Sequence, residues 1–171
     1  DVAGKGAIAA VVSRIPDDAP DALTYYEVKD TLNALGLLAL YRRRKLGAKL
    51  CAVTGSNGKT TTKEILKAVL SARYRVHATT GNLNNRIGTP LTLLALPDDA
   101  DIAVIELGTN VPGEVAILRD IALPQIAIVT STAEEHLEGL GDLAGVLREE
   151  ASVVEGTEQL ALTKSLEIHP I

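Results

Sequence analysis

Ten consecutive residues constrain this chain more than any other feature: Val53-Thr54-Gly55-Ser56-Asn57-Gly58-Lys59-Thr60-Thr61-Thr62. The apolar run Leu50-Cys51-Ala52-Val53 precedes them. Lys63-Glu64-Ile65-Leu66-Lys67-Ala68-Val69-Leu70 follows, with apolar residues at helical spacing. Strand, glycine turn and helix in that order give a Gly-Lys-Thr match its physical meaning. Gly55 and Gly58 let the backbone turn tightly and aim successive N–H groups at an anion, and the helix start adds its positive dipole end. Lys59 then reaches the outer phosphates of a nucleotide, and the Thr60 hydroxyl is placed to hold the accompanying magnesium. The common phosphate loop has glycine five residues before Gly58, where this chain has Val53, so the turn is shorter. The bland alternative is a glycine turn that only caps a helix.

Composition narrows the class. The 171 residues allow one domain, or one domain and part of another, and 46% hydrophobic residues are ample for a core. A net charge of −5 argues against a general nucleic-acid surface. The single Cys excludes an internal disulfide and a cysteine metal cluster, which fits a reducing compartment. No apolar run spans a bilayer, and the start is not a signal peptide. The chain has no Met, so Asp1 is not a translation start, and the expectation is a piece of a longer protein.

Around the turn, apolar strands alternate with helical segments. Strands are expected at 7–12, 23–28, 74–78, 102–108 and 125–130, with loops at 15–22 and 97–101. Residues 31–45 read as a helix with Leu32, Leu35, Leu38 and Ala39 on one face. Its basic end, Arg42-Arg43-Arg44-Lys45, complements the dipole, and Gly47 is its stop. A domain boundary is expected near Gly47. Residues 79–90 are polar and turn-rich and lead into the apolar run at 91–96. Pro112 and Gly113 open a helix over 115–120. Gly139-Leu140-Gly141 reads as a turn, Asp142 caps a helix running to Val154, and 157–171 has no strong pattern. This alternation predicts an α/β fold with a mostly parallel sheet covered on both faces. Ligands of such sheets bind beyond the strand C-terminal ends, which gathers Lys59, Thr60, Glu106 and His136 at one edge.

Glu106 ends a strand, where a buried carboxylate is costly unless it meets a cation. Magnesium shared with Thr60 and nucleotide phosphates would satisfy it; capping a loop or pairing with an arginine are the alternatives. His136 follows another strand end beside Glu134 and Glu135, and is either a ligand or a packing residue. Cys51 is read as core.

Four runs together resemble the Mur ligase family. They are Thr54 through Glu64, Gly81-Asn82-Leu83-Asn84-Asn85-Arg86-Ile87-Gly88-Thr89-Pro90, Ile105-Glu106-Leu107-Gly108-Thr109-Asn110 and His136-Leu137-Glu138-Gly139-Leu140-Gly141. The second and fourth most resemble those members that join D-alanyl-D-alanine to UDP-N-acetylmuramoyl-tripeptide. The resemblance covers about 48–156, and residues 1–46 are similar to the end of the family's uridine-nucleotide-binding N-terminal domain. It implies a phosphate-loop central domain over 47–171, incomplete, with a C-terminal closing domain absent. It further implies a monomeric cytoplasmic ligase that uses ATP and Mg2+ to form an acyl phosphate, then an amide. Gly55, Ser56, Asn57, Gly58, Lys59, Thr60 and Thr61 would bind ATP, with Asn85 or a neighbouring asparagine near the phosphates. Lys59, Glu106 and His136 would be catalytic. Thr60 and Glu106 would hold one magnesium, and His136 a second.

Two departures stand out. Near Glu150 many members of the family carry a lysine that takes up carbon dioxide, and its carbamate helps position the second magnesium. This chain has Glu149 and Glu150 there, so Glu150 is expected to supply a carboxylate directly; a solvated helix face is the alternative. The ending at 157–171 does not match the family's continuation, and the expectation is little or no ligase activity from this stretch alone. Competing readings are another Mur ligase, a folylpolyglutamate-synthase-like enzyme, or a regulatory module that senses or hydrolyses ATP.

Overall fold

A computed structural model describes residues 2–133 and 137–162. Two parallel strands, β1 (Ala9–Val12) and β2 (Thr24–Glu27), lead into helix α1 (Thr31–Lys45). The main body is a five-stranded sheet of β3 (Lys49–Thr54), β4 (Val76–Ala78), β5 (Ile102–Glu106), β6 (Ile126–Val129) and β7 (Gln159–Leu162). Its order is β4-β5-β3-β6-β7, and every pairing is parallel. The crossovers carry α2 (Lys59–Leu70), α3 (Gly88–Leu94), α4 (Glu114–Ala122), α5 (Leu137–Leu140) and α6 (Leu143–Ala151).

Strand β3 is central and almost wholly buried, so it reads as an unbroken apolar run. Its residues alternate between two cores because successive side chains leave opposite faces of a strand. Leu50 and Ala52 join Ala103, Ile105, Ala127, Leu93, Val115 and Leu118 on one side. Cys51 and Val53 join Val104, Ala78, Leu66 and Leu70 on the other. Helix α1 sends Ala39 into the first of these cores.

Several local expectations change. The buried stripe of α1 is Gly36, Ala39 and Arg43, whereas Leu37 and Leu38 stay exposed. Gly36 sits where α1 crosses α4, since a Cβ there would lie 2.9 Å from Ile121 Cδ1. The helix ends at Lys45 with Leu46 already extended, so Gly47 is not its stop. Residues 88–90 start α3 instead of continuing a turn. The Asn85 side chain accepts from Ile87 N and Gly88 N, and proline is tolerated in a first turn. Leu140 closes α5 before Gly141 turns at φ +85°. The Asp142-capped helix stops at Ala151 and gives way to a 3₁₀ turn over Ser152–Val154. Residues 159–162 form β7, an edge strand whose place comes from backbone pairing with β6.

Candidate functional site

The glycine turn joins β3 to α2 at the C-terminal edge of the sheet, and it is braced from β6. Gly55 holds φ +122°, and a Cβ there would run into Thr130 Oγ1 and the Ser131 backbone. No L side chain takes that conformation without strain. Ser56 N donates to Ser131 O and Asn57 N to Ser131 Oγ, both at 2.9 Å. Thr130 Oγ1 lies 2.6 Å from Asn57 O and 3.0 Å from Thr54 O. Ser56 Oγ accepts from Ala133 N at 2.9 Å. The amides of Ser56 and Asn57 therefore serve the turn itself. Helix α2 then starts at Gly58 (φ +86°), a residue with no side chain to cap it. Uncapped N–H groups at a helix start, with the dipole behind them, suit a phosphate. Lys59 Nζ folds back over the turn onto Gly55 O and Ser56 O. Thr60 and Thr61 are exposed beside it. The preceding thiol, Cys51, is pushed up to about 11 by burial and is a packing group.

Glu106 ends β5 in register with Val53, which puts its carboxylate next to the turn, and only 2% of it is exposed. Thr60 Oγ1 lies 3.1 and 3.3 Å from its two oxygens, and Asn84 Nδ2 donates to Oε1 at 2.9 Å. Among the described residues the cation beside Glu106 is Lys63, whose Nζ is 3.8 Å from Oε2, and no arginine pairs with it. Gly108 leaves room for Asn84, because a Cβ there would press on its amide. No three His, Cys, Asp or Glu side chains cluster as a metal site among the described residues. The donors on offer are hard oxygens, a hydroxyl and a carboxylate. They fit a magnesium ion completed by phosphate oxygens and water.

The paired glutamates of α6 are not a solvated face. Glu149 is 6% exposed and accepts from Gly113 N at 2.7 Å, Val115 N at 2.8 Å and Thr109 Oγ1 at 3.1 Å, so it caps α4. Glu150, 1% exposed, takes the Thr54 hydroxyl at the point where β3 enters the turn. Asn84 and Asn85 divide their tasks: Asn84 touches Glu106, and the Asn85 oxygen starts α3. His136 lies outside the described residues. The contributions of Lys63, Thr130 and Ser131 were not singled out from the sequence, and Asn84 was included only as a neighbour of Asn85. The one hint was a run of hydroxyl residues directly after a buried strand.

A parallel sheet with an uncapped helix start, a lysine and a Thr–Glu oxygen pair beyond its central strand defines a phosphate-loop nucleotide domain. The Mur ligase middle-domain model matches residues 53–163, and the chain belongs to the Mur ligase family. Over 154 residues it is 41% identical to the UDP-N-acetylmuramoyl-tripeptide–D-alanyl-D-alanine ligase of Bacillus subtilis, covering 90% of this chain and 34% of that protein. The Escherichia coli enzyme of the same name is 45% identical over 152 residues, covering 88% and 33%. Among solved structures, MurF of Acinetobacter baumannii superimposes with a TM-score of 0.84 at 38% identity, covering 91% of this chain and 34% of that one. MurF of Thermotoga maritima in complex with ADP gives 0.80 at 30% identity, with 88% and 34% covered. The chain thus spans about a third of the length of the relatives it matches. Folylpolyglutamate synthase from Mycobacterium tuberculosis, at 18% identity and a TM-score of 0.63, shares the fold.

Proposed function

We propose that this chain is the nucleotide-binding core of a ligase that joins D-alanyl-D-alanine to UDP-N-acetylmuramoyl-tripeptide at the expense of ATP. The Thr60–Glu106 oxygen pair beside the uncapped start of α2 carries the reading, and the names of the relatives support the substrates. A carboxylate oxygen of the tripeptide attacks the γ-phosphorus of ATP, the bond to the β-phosphate oxygen breaks, and ADP leaves. The amine of D-alanyl-D-alanine then adds to the acyl phosphate carbon. Collapse of that tetrahedral species expels phosphate, and the amine loses its proton. The protein's part is positioning and charge neutralisation. Lys59 swings from the turn carbonyls to the phosphates, and the α2 amides hold the phosphoryl oxygens. Ser56 and Asn57 keep the turn in shape for them, and Asn85 places the 81–90 loop near the phosphates. Magnesium, when bound, neutralises the phosphate charge; Thr60 and Glu106 would hold it, and His136 a second ion. Glu150 is the carboxylate for that second site, supported by its burial beside Thr54.

No helix among the described residues is long and apolar enough to cross a membrane. We read the enzyme as cytoplasmic and monomeric, with no nucleic-acid partner. The test is phosphate release by the full-length protein with Mg2+, ATP, the UDP-muramoyl-tripeptide and D-alanyl-D-alanine, each omitted in turn. Release should need all four and be lost in Lys59→Ala. Release with ATP alone would show a nucleotide switch and remove the ligase assignment.

A further inference from the structure

Lys63 is fully buried on α2, one turn beyond Thr60. Its ammonium meets three oxygens: Glu64 Oε1 at 3.0 Å, Gly81 O at 3.4 Å and Glu106 Oε2 at 3.8 Å. The inner face of a surface helix is ordinarily apolar, and a buried ammonium is expensive unless its charge is needed. Phosphate binding is the task of Lys59, at the other end of the same turn. Lys63 instead faces the carboxylate proposed to hold the divalent cation, and it does so from the protein side.

Two cations therefore bear on one carboxylate. A divalent ion on Thr60 and Glu106 would lie close to the Lys63 ammonium, and like charges repel strongly where little water screens them. We infer that Lys63 is a positioning residue that sets the cation affinity of Glu106. Its charge holds the carboxylate in place, and it keeps a divalent cation bound weakly enough to leave with the product nucleotide at each turnover. Glu64, whose side chain is 54% exposed, draws part of that charge away from Glu106. This inference rests on Thr60 and Glu106 holding the cation.

Mn2+ is the probe, titrated into the full-length protein saturated with ADP and read by electron paramagnetic resonance of the free ion. Lys63→Met should bind Mn2+ about tenfold more tightly than wild type, because a neighbouring positive charge has gone. Glu64→Gln should bind it more weakly, and that change should vanish when it is combined with Lys63→Met. A structural role for Lys63 would lower the melting temperature without moving Mn2+ affinity in opposite directions in the two variants. Unchanged or weaker Mn2+ binding in folded Lys63→Met overturns the inference. If that variant does not fold, Lys63→Gln, which can still donate to Gly81 O, takes its place with the same criterion. Wild-type Mn2+ binding that survives Glu106→Gln would instead remove the cation site itself.

Discussion

Arg43 is a buried guanidinium whose hydrogen-bond acceptors among the described residues are all uncharged. It donates to Ala122 O at 2.8 Å, Gln125 Oε1 at 3.1 Å, Leu123 O at 3.3 Å and Leu46 O at 3.4 Å, and burial pulls its pKa down. Leu123 is held at φ +48°, which turns the chain there. Gln125 Oε1 also accepts from Leu50 N, so one side chain links α1, β3 and the entry to β6. Arg43→Met should lower stability by about 2–4 kcal/mol in urea unfolding, because carbonyls lose their donor without regaining water. Arg44→Ala, at an exposed neighbour, should stay within about 0.5 kcal/mol. Cys51 supplies a second residue-level expectation. Its thiol is pushed up to about 11, so the native state keeps the proton more tightly than the unfolded chain. That contribution is complete below the ordinary thiol value of 9.0 and fades as pH rises towards the folded value. Stability should therefore fall across this alkaline window by about 2–3 kcal/mol more than in Cys51→Ala.

Helix α4 shows what a sequence conceals at the scale of elements. Its sequence displays Pro112 and Gly113 as openers, yet the groups that satisfy its first amides belong to Glu149 on α6. Glu149→Leu should cost about 2–4 kcal/mol in urea unfolding, because buried N–H groups lose a charged acceptor. Asp142→Ala, which removes a local cap bond to Gly145 N, should cost about 1 kcal/mol. The Asp142 cap was legible because it lies three residues from its partner; the Glu149 cap was not, because its partners lie more than thirty residues away. The same distinction runs through the fold. β3, β5 and β6 announced themselves as apolar runs, and α2 by its spacing. Of residues 157–171, the part that forms β7 depends on a neighbour for its pairing, and of the stripe expected on α1 only Ala39 is fully buried, with Gly36 and Arg43 beside it in place of Leu38. In the candidate site, Lys59, Thr60 and Glu106 could be read from strand ends. Asn84 and Lys63 became visible only when three elements met at one carboxylate.

Over the whole molecule, β3 occupies the centre of the sheet, and its two partners come much later in the chain. The turn that follows it is shaped by Thr130 and Ser131: Asn57 and Ser131 lie 74 residues apart and share hydrogen bonds in both directions. A version ending at residue 122 would keep Gly55, Lys59, Thr60 and Glu106 but lose the brace. It should fail to bind ADP in equilibrium dialysis under conditions where the longer chain succeeds. For a chain emerging from a ribosome, this imposes a schedule. At bacterial and eukaryotic synthesis rates, roughly 4–15 s separate the appearance of Asn57 from that of Ser131. During that interval the central strand of the sheet has no partner on its β6 side, and the turn lacks the groups that hold it in shape. If the truncated version fails to bind ADP, ligand capture does not help the early chain to fold, and β3 is shielded in those seconds by something other than ATP.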